Sequence, residues 1–199
     1  MPEEKLSDRL EGWLEGEQPK TVGNLIELFG EKSFAVLFLL LLAIPALPLP
    51  TGGVTHVFEL IAMLLALELI VGRRTVWLPE RWRRRELGPA TQKRFSEVLL
   101  RRIRWLERHS RPRLRFLIDH PLRGQVYGLL VLGLAVAAFV APPFTGLDTL
   151  PSLGVVVLSL GVLLDDGLVA VAGVVIGAAG IVAELFLGSL ALKGIRSLF

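Results

Sequence analysis

From Phe34 to Ile44 every residue is apolar, and the run then breaks at Pro45, Pro48 and Pro50, followed by Gly52 and Gly53. A helix of about 11 residues rises roughly 16 Å, half of a ~30 Å hydrocarbon core. Such a run either spans with a broken end or enters and turns back. Val54–Val71 follows and is long enough to span. Gln125–Ala141 is a second apolar run, and it ends at Pro142, Pro143 and Gly146. Leu153–Leu164 is apolar but short, and Asp165-Asp166-Gly167 interrupts it. Gly167–Leu187 then reads as a full span. With 52% hydrophobic residues gathered into these blocks, the chain is expected to be an all-α integral membrane protein.

The two interruptions match each other. A shift of 94 residues places Pro48 on Pro142, Thr51 on Thr145, Gly52 on Gly146 and Thr55 on Thr149. Residues of these types are uncommon inside apolar blocks, so the match marks a two-fold internal repeat of interrupted, re-entrant helices. Hydrocarbon tolerates no unsatisfied backbone, and a broken helix must be buried in protein or line a wet cavity. Paired interruptions in two halves are the sequence pointer to a transport-type site. The plainer alternative is a Pro-Thr-Gly turn at the membrane surface. Two topologies fit. In one, each repeat is a re-entrant hairpin plus one span, and the repeats are inverted with the N-terminus outside. In the other, each is a plain hairpin, and the repeats are parallel with the N-terminus inside. The inverted arrangement is favoured.

Charge divides the chain. Between Arg73 and Arg115 lie 15 of the 22 basic residues against 4 acidic ones, while the first 20 residues lean acidic. Residues 73–120 cannot cross a bilayer and are expected in the cytoplasm. Within them, 95–106 forms a basic amphipathic helix, and anionic lipid headgroups are the expected partner of 81–115. Nucleic acid is not expected. Residues 3–16 form another amphipathic helix, with Leu6, Leu10, Trp13 and Leu14 on one face. It either packs on the protein or lies at the membrane interface. The chain thus divides into 1–20 (amphipathic), 21–72 (first repeat), 73–120 (basic section), 121–190 (second repeat) and 191–199 (tail), forming one membrane domain.

Ionisable groups inside apolar segments carry the chemistry if any do. Glu68 is the leading candidate of the first half. His56 and Glu59 share a helix face, as a proton relay or as a surface pair. Asp165 and Asp166 either cap the next helix or form a protonatable site. Asp148 suits an Asx-type turn. Arg73 and Arg123 stand at span edges as anchors or charge partners. Gly173 and Gly177 permit close helix approach, within the chain or across a dimer. The expected solute path is lined by Pro48, Pro50, Thr51, Gly52, Glu59, Glu68, Pro142, Thr145, Gly146, Asp165 and Asp166. There is no cysteine, which removes disulfides, thiolate metal sites and cysteine nucleophiles. His56, His109 and His120 are scattered, so no metal or cofactor is expected. Soluble-enzyme motifs are absent, and the expected role is not enzymatic.

Pro48-Leu-Pro50-Thr51-Gly52, Gly72-Arg73, Trp77-Leu78-Pro79, Leu150-Pro151 and Asp166-Gly167 together resemble the ExoD family of exopolysaccharide-synthesis membrane proteins. The resemblance covers nearly the whole chain. It implies a multi-pass protein of the bacterial inner membrane linked to exopolysaccharide production. A transporter-like role acting on a small solute or polysaccharide precursor is consistent with it. The rival reading is a non-transporting accessory subunit of a polysaccharide-synthesis complex. With few helices to enclose a path, a homodimer is expected.

Overall fold

The structure is a computed structural model that describes residues 6–47, 54–77, 79–84, 86, 104, 123–142 and 145–196. Among these residues it is helical, without strands. Helix α1 is Leu6–Glu15 and α2 is Val22–Phe29, followed by a 3-10 turn at Gly30–Lys32. Next come α3 (Ser33–Leu42), α4 (Val54–Ile70) and the short α5 (Glu80–Arg83). The second half holds α6 (Arg123–Val140), α7 (Thr149–Leu163) and α8 (Gly167–Arg196). The turns 48–53 and the basic helix of 95–106, apart from Arg104, lie outside the described residues.

The boundaries follow local chemistry. Thr21 has extended backbone, and its hydroxyl accepts the Asn24 N–H at 3.2 Å to open α2. Helix α6 ends before Pro142, whose ring cannot continue it. Asp165 has a positive φ of 51° and reverses the chain between α7 and α8.

Helices α3, α4, α6 and α7 close into a ring: α3 packs on α4 and α7, and α6 packs on α4 and α7. Small residues allow close approach. Ala62 and Ala66 of α4 and Ala135 and Ala138 of α6 are fully buried. A Cβ at Gly128 of α6 would stand 3.0 Å from the Ala66 carbonyl oxygen. Helix α8 lies along α7 and also touches α6. There the backbones nearly meet. A Cβ at Gly154 would fall 2.5 Å from the Gly177 Cα, and one at Gly173 2.3 Å from the Leu158 nitrogen. Of the two uses open to the Gly173/Gly177 pair, the structure shows the internal one.

Cross-chain contacts order the helix ends. Lys32, just before α3, reaches the carbonyl of Leu163 at the close of α7, at 3.1 Å. Arg123 at the start of α6 pairs with Glu31 beside the start of α3. At the opposite end, Thr55 of α4 faces Asp148 at the start of α7, and His56 stacks near Phe139 of α6. Hence α3 and α6 both start at one end, and α4 and α7 both start at the other. The halves are hairpins of the same sense. This corrects the inverted arrangement favoured from sequence, because hydropathy alone fits either direction of a hairpin. Both interruptions lead into helices at the same end, here called the turn end.

The N-terminal helices sit at the other end. Leu10 and Trp13 are buried and join one core with Ile26, Phe29, Phe34 and Phe38. The apolar face of α1 is therefore spent on the protein itself. Acidic residues of this segment meet basic ones of the middle section: Glu11 with Arg104, Glu27 with Arg83 at 2.5 Å, and Glu31 with Arg74 at 3.5 Å.

The outside of the bundle is apolar. Arg123–Val140 and Gly167–Ser189 are long and apolar enough to cross a membrane, and only 17% of the second is buried inside the fold. A core helix of a soluble protein would be mostly covered. Val175, Val182, Leu185 and Phe186 of α8 and Val57 and Leu64 of α4 are exposed as well. Surface of this kind needs hydrocarbon around it, and the chain is a membrane protein.

Candidate functional site: a carboxylate cluster at the turn end

Glu59 lies five residues into α4, about 8 Å from its start. Its side chain is 0% exposed. The surrounding helices leave it few partners. His56, one turn earlier, brings Nδ1 to 3.0 Å from Glu59 Oε2, an ion-pair contact without the alignment of a hydrogen bond. Among the described residues, no other donor reaches either Glu59 oxygen. A buried carboxylate in that state is costly and rarely kept without a use.

Two further carboxylates lie within electrostatic range of it. Asp148 stands at the N-cap position of α7, yet its side chain makes no capping bond. It turns instead to α4, where the Thr55 hydroxyl donates to Oδ2 at 3.5 Å. Glu184 comes from α8 and lies within electrostatic range of both Asp148 and Glu59. Its Oε1 is enclosed and lacks a donor among the described residues. His56 is partly open to the surface and packs 5.3 Å from the Phe139 ring. The cluster therefore combines three carboxylates and one imidazole, drawn from α4, α7 and α8. At most one positive charge opposes three negative ones. Among the described residues, no three of His, Cys, Asp and Glu are placed to hold a metal ion.

Other candidates fall elsewhere. Glu68 accepts the Trp77 N–H at 3.0 Å, and Arg73 stacks over the Trp77 ring at 5.9 Å. Together they shape the exit from α4. Asp165 pairs with Lys32 at 2.5 Å at the end away from the cluster. Asp166 caps α8, accepting the N–H groups of Leu168 and Val169 at 3.1 and 3.4 Å. Arg123 binds Glu31. Thr145 and Gly146 build an exposed turn. The Thr145 hydroxyl donates to the Pro142 carbonyl at 2.6 Å, and Gly146 has a positive φ of 69°. Pro48, Pro50, Thr51 and Gly52 lie outside the described residues. Of the expected path residues among those described, Glu59 alone enters the cluster, with Pro142, Thr145 and Gly146 in the connection that leads to Asp148. Sequence reasoning passed over Glu184, although a carboxylate inside a long apolar span is itself the signal. Asp148 was read as a turn former and proves to be a cluster member.

A lower polar contact lies inside the same ring. The hydroxyls of Tyr127 and Ser159 are 2.8 Å apart and buried. Asp148, Ser152 and Ser159 follow one face of α7, and Ser152 is fully buried with no partner for its hydroxyl.

The family model described as "Exopolysaccharide synthesis, ExoD" matches residues 6–186. The chain belongs to the ExoD family. Protein ExoD of Rhizobium meliloti (strain 1021) is 33% identical over 177 residues, covering 84% of this chain and 71% of that protein. An uncharacterized protein of Synechocystis sp. is 26% identical over 174 residues, covering 86% of this chain and 81% of its own. No solved structure matches the chain significantly. Membership of the ExoD family ties the chain to exopolysaccharide synthesis, and the family match spans both hairpins and the whole cluster.

Proposed function

We propose that this ExoD-family protein is a transporter-like, non-enzymatic component of exopolysaccharide synthesis in the bacterial inner membrane. Its solute path opens at the turn end, over Glu59. The observation that carries this reading is the enclosed Glu59 carboxylate, 3.0 Å from the His56 ring and within electrostatic range of two other carboxylates. Intramembrane ionisable groups mark pathways and relays far more often than they mark packing. The hairpin contacts support it too. Within the four-helix ring, exchanging α3 with α6 and α4 with α7 turns each observed pairing into another observed one. That is the relation expected of parallel repeats about an axis along the membrane normal. With 73–120 in the cytoplasm, the N-terminus is cytoplasmic and the cluster faces outward. Homodimerisation and contact of 81–115 with anionic lipid belong to this proposal. Gly173 and Gly177 do not serve the dimer, since they are used inside the fold.

A second reading, the accessory subunit, is favoured by the Thr145 turn. Its hydroxyl is spent on Pro142, as in a plain surface connection. The acidic–basic pairs also build a cytoplasmic platform suited to docking.

The test is complementation in a bacterial host whose own family member is deleted, scored by exopolysaccharide output at matched protein levels. The transporter reading expects Glu59→Gln to abolish output, Glu68→Gln to retain it, and charge reversal at Arg101, Arg104 and Arg108 to be tolerated. Full output from Glu59→Gln, with loss on charge reversal, overturns it in favour of the accessory subunit.

A further inference from the structure

Three carboxylates and a single imidazole cannot all be charged inside a hydrocarbon layer without a counter-ion. The charged or titratable groups around Glu59 can be named element by element. Helix α4 brings His56, α7 brings Asp148, and α8 brings Glu184. Helix α3 carries none, and those of α6 are Arg123 and Tyr127, at its opposite end. Helix α8 also carries Lys193 and Arg196 nearer its C-terminus; among the described side chains, no lysine or arginine pairs with the cluster. A cation from solution that balances the cluster has to reach an enclosed oxygen with a histidine nitrogen 3.0 Å away.

We propose that the cluster is a proton-binding site in which Glu59 holds the exchanged proton and His56 passes it to and from the surface. A proton is the one cation that needs no coordination shell, and among the described residues Glu59 Oε1 has no hydrogen-bond partner. Release begins with the imidazole neutral and protonated on Nε2. Glu59 gives its proton to His56 Nδ1, which forms carboxylate and imidazolium. The imidazolium then loses its Nε2 proton to water and returns to the neutral ring. One proton leaves, and the cluster gains one negative charge. His56 suits the task because its ring is partly exposed while Nδ1 points inward to Glu59. The Thr55 hydroxyl donates to Asp148 and fixes that carboxylate against α4. This deepens the reading above by naming the ligand of the same cluster, and it rests on that reading for the membrane setting alone.

Infrared difference spectroscopy on the purified full-length protein in lipid nanodiscs reads proton occupancy without any transported solute. Failure here is thus separable from failure of the transport reading. The expected result is a carboxylic-acid C=O band that appears and disappears with pH, is lost in Glu59→Gln and is retained in Glu68→Gln. In His56→Asn the band persists, but its deuterium exchange slows on the order of tenfold or more. That second variant keeps the proposal testable if Glu59→Gln fails to fold. A band unchanged by Glu59→Gln, or no such band at any pH, overturns the proposal. A band that is cleared by sodium at constant pH overturns the proton as the ligand, and unchanged exchange in His56→Asn overturns the role of His56.

Discussion

The Lys32 ammonium lies 2.5 Å from the Asp165 carboxylate, across 133 residues of sequence. It ties the start of α3 to the turn between α7 and α8, and Lys32 also donates to the Leu163 carbonyl. Asp165 holds a left-handed backbone, with φ at 51°. Two effects can be separated here. Asp165→Ala loses the ion pair and keeps an unfavourable backbone, whereas Asp165→Gly loses the ion pair and relieves it. The pair is about a third exposed and contributes on the order of 1 kcal/mol. The glycine variant should therefore unfold above the alanine variant, by roughly 1 kcal/mol in thermal or denaturant titration. Equal stability would mean that the backbone at 165 relaxes.

Helices α7 and α8 approach backbone to backbone. A Cβ at Gly161 would stand 2.3 Å from the Ala170 nitrogen, inside any tolerable contact. Gly161→Val should destabilise by at least ~1–3 kcal/mol and broaden the size-exclusion profile in detergent. Gly133→Val is the control, since a Cβ there meets nothing within 4 Å. It should remain close to the parent protein.

Tyr127 and Ser159 hold one buried hydrogen bond of 2.8 Å, with the Phe38 ring edge-on to Tyr127 at 5.7 Å. Tyr127→Phe leaves the ring packing and orphans the serine hydroxyl. A loss of about 1 kcal/mol is expected. Adding Ser159→Ala should cost less than the sum of the single changes, as a double-mutant cycle would show.

Much of this architecture was legible in the sequence, and the exceptions have physical causes. The broken apolar runs announced the helices, because Pro and Gly leave few other ways to end a segment in hydrocarbon. The direction of the hairpins was not legible, since a hydropathy profile is blind to which end faces which. Glu68 outranked Glu59 on sequence because both sit in one apolar segment. Only the fold shows the Trp77 N–H reaching back to Glu68 while Glu59 turns inward. The acidic first segment and basic middle section were visible as an asymmetry. That asymmetry was read as topology and lipid contact, and it also encodes the Glu11–Arg104 and Glu27–Arg83 pairs. Asp148 and Glu184 lie 36 residues apart, and only the antiparallel packing of α7 on α8 places them together.

In the proposed topology, parallel hairpins carry both interruptions and the carboxylate cluster to one face of the membrane, opposite the basic section. A cysteine-free chain makes this directly measurable. Single cysteines at Ser7, Thr51, Ser96 and Thr145, probed with a membrane-impermeant maleimide in inside-out and right-side-out vesicles, decide it. Thr51 and Thr145 should be labelled from the outer face, and Ser7 and Ser96 from the cytoplasmic face. Labelling of Thr51 and Thr145 from opposite faces would contradict it and restore the inverted repeat.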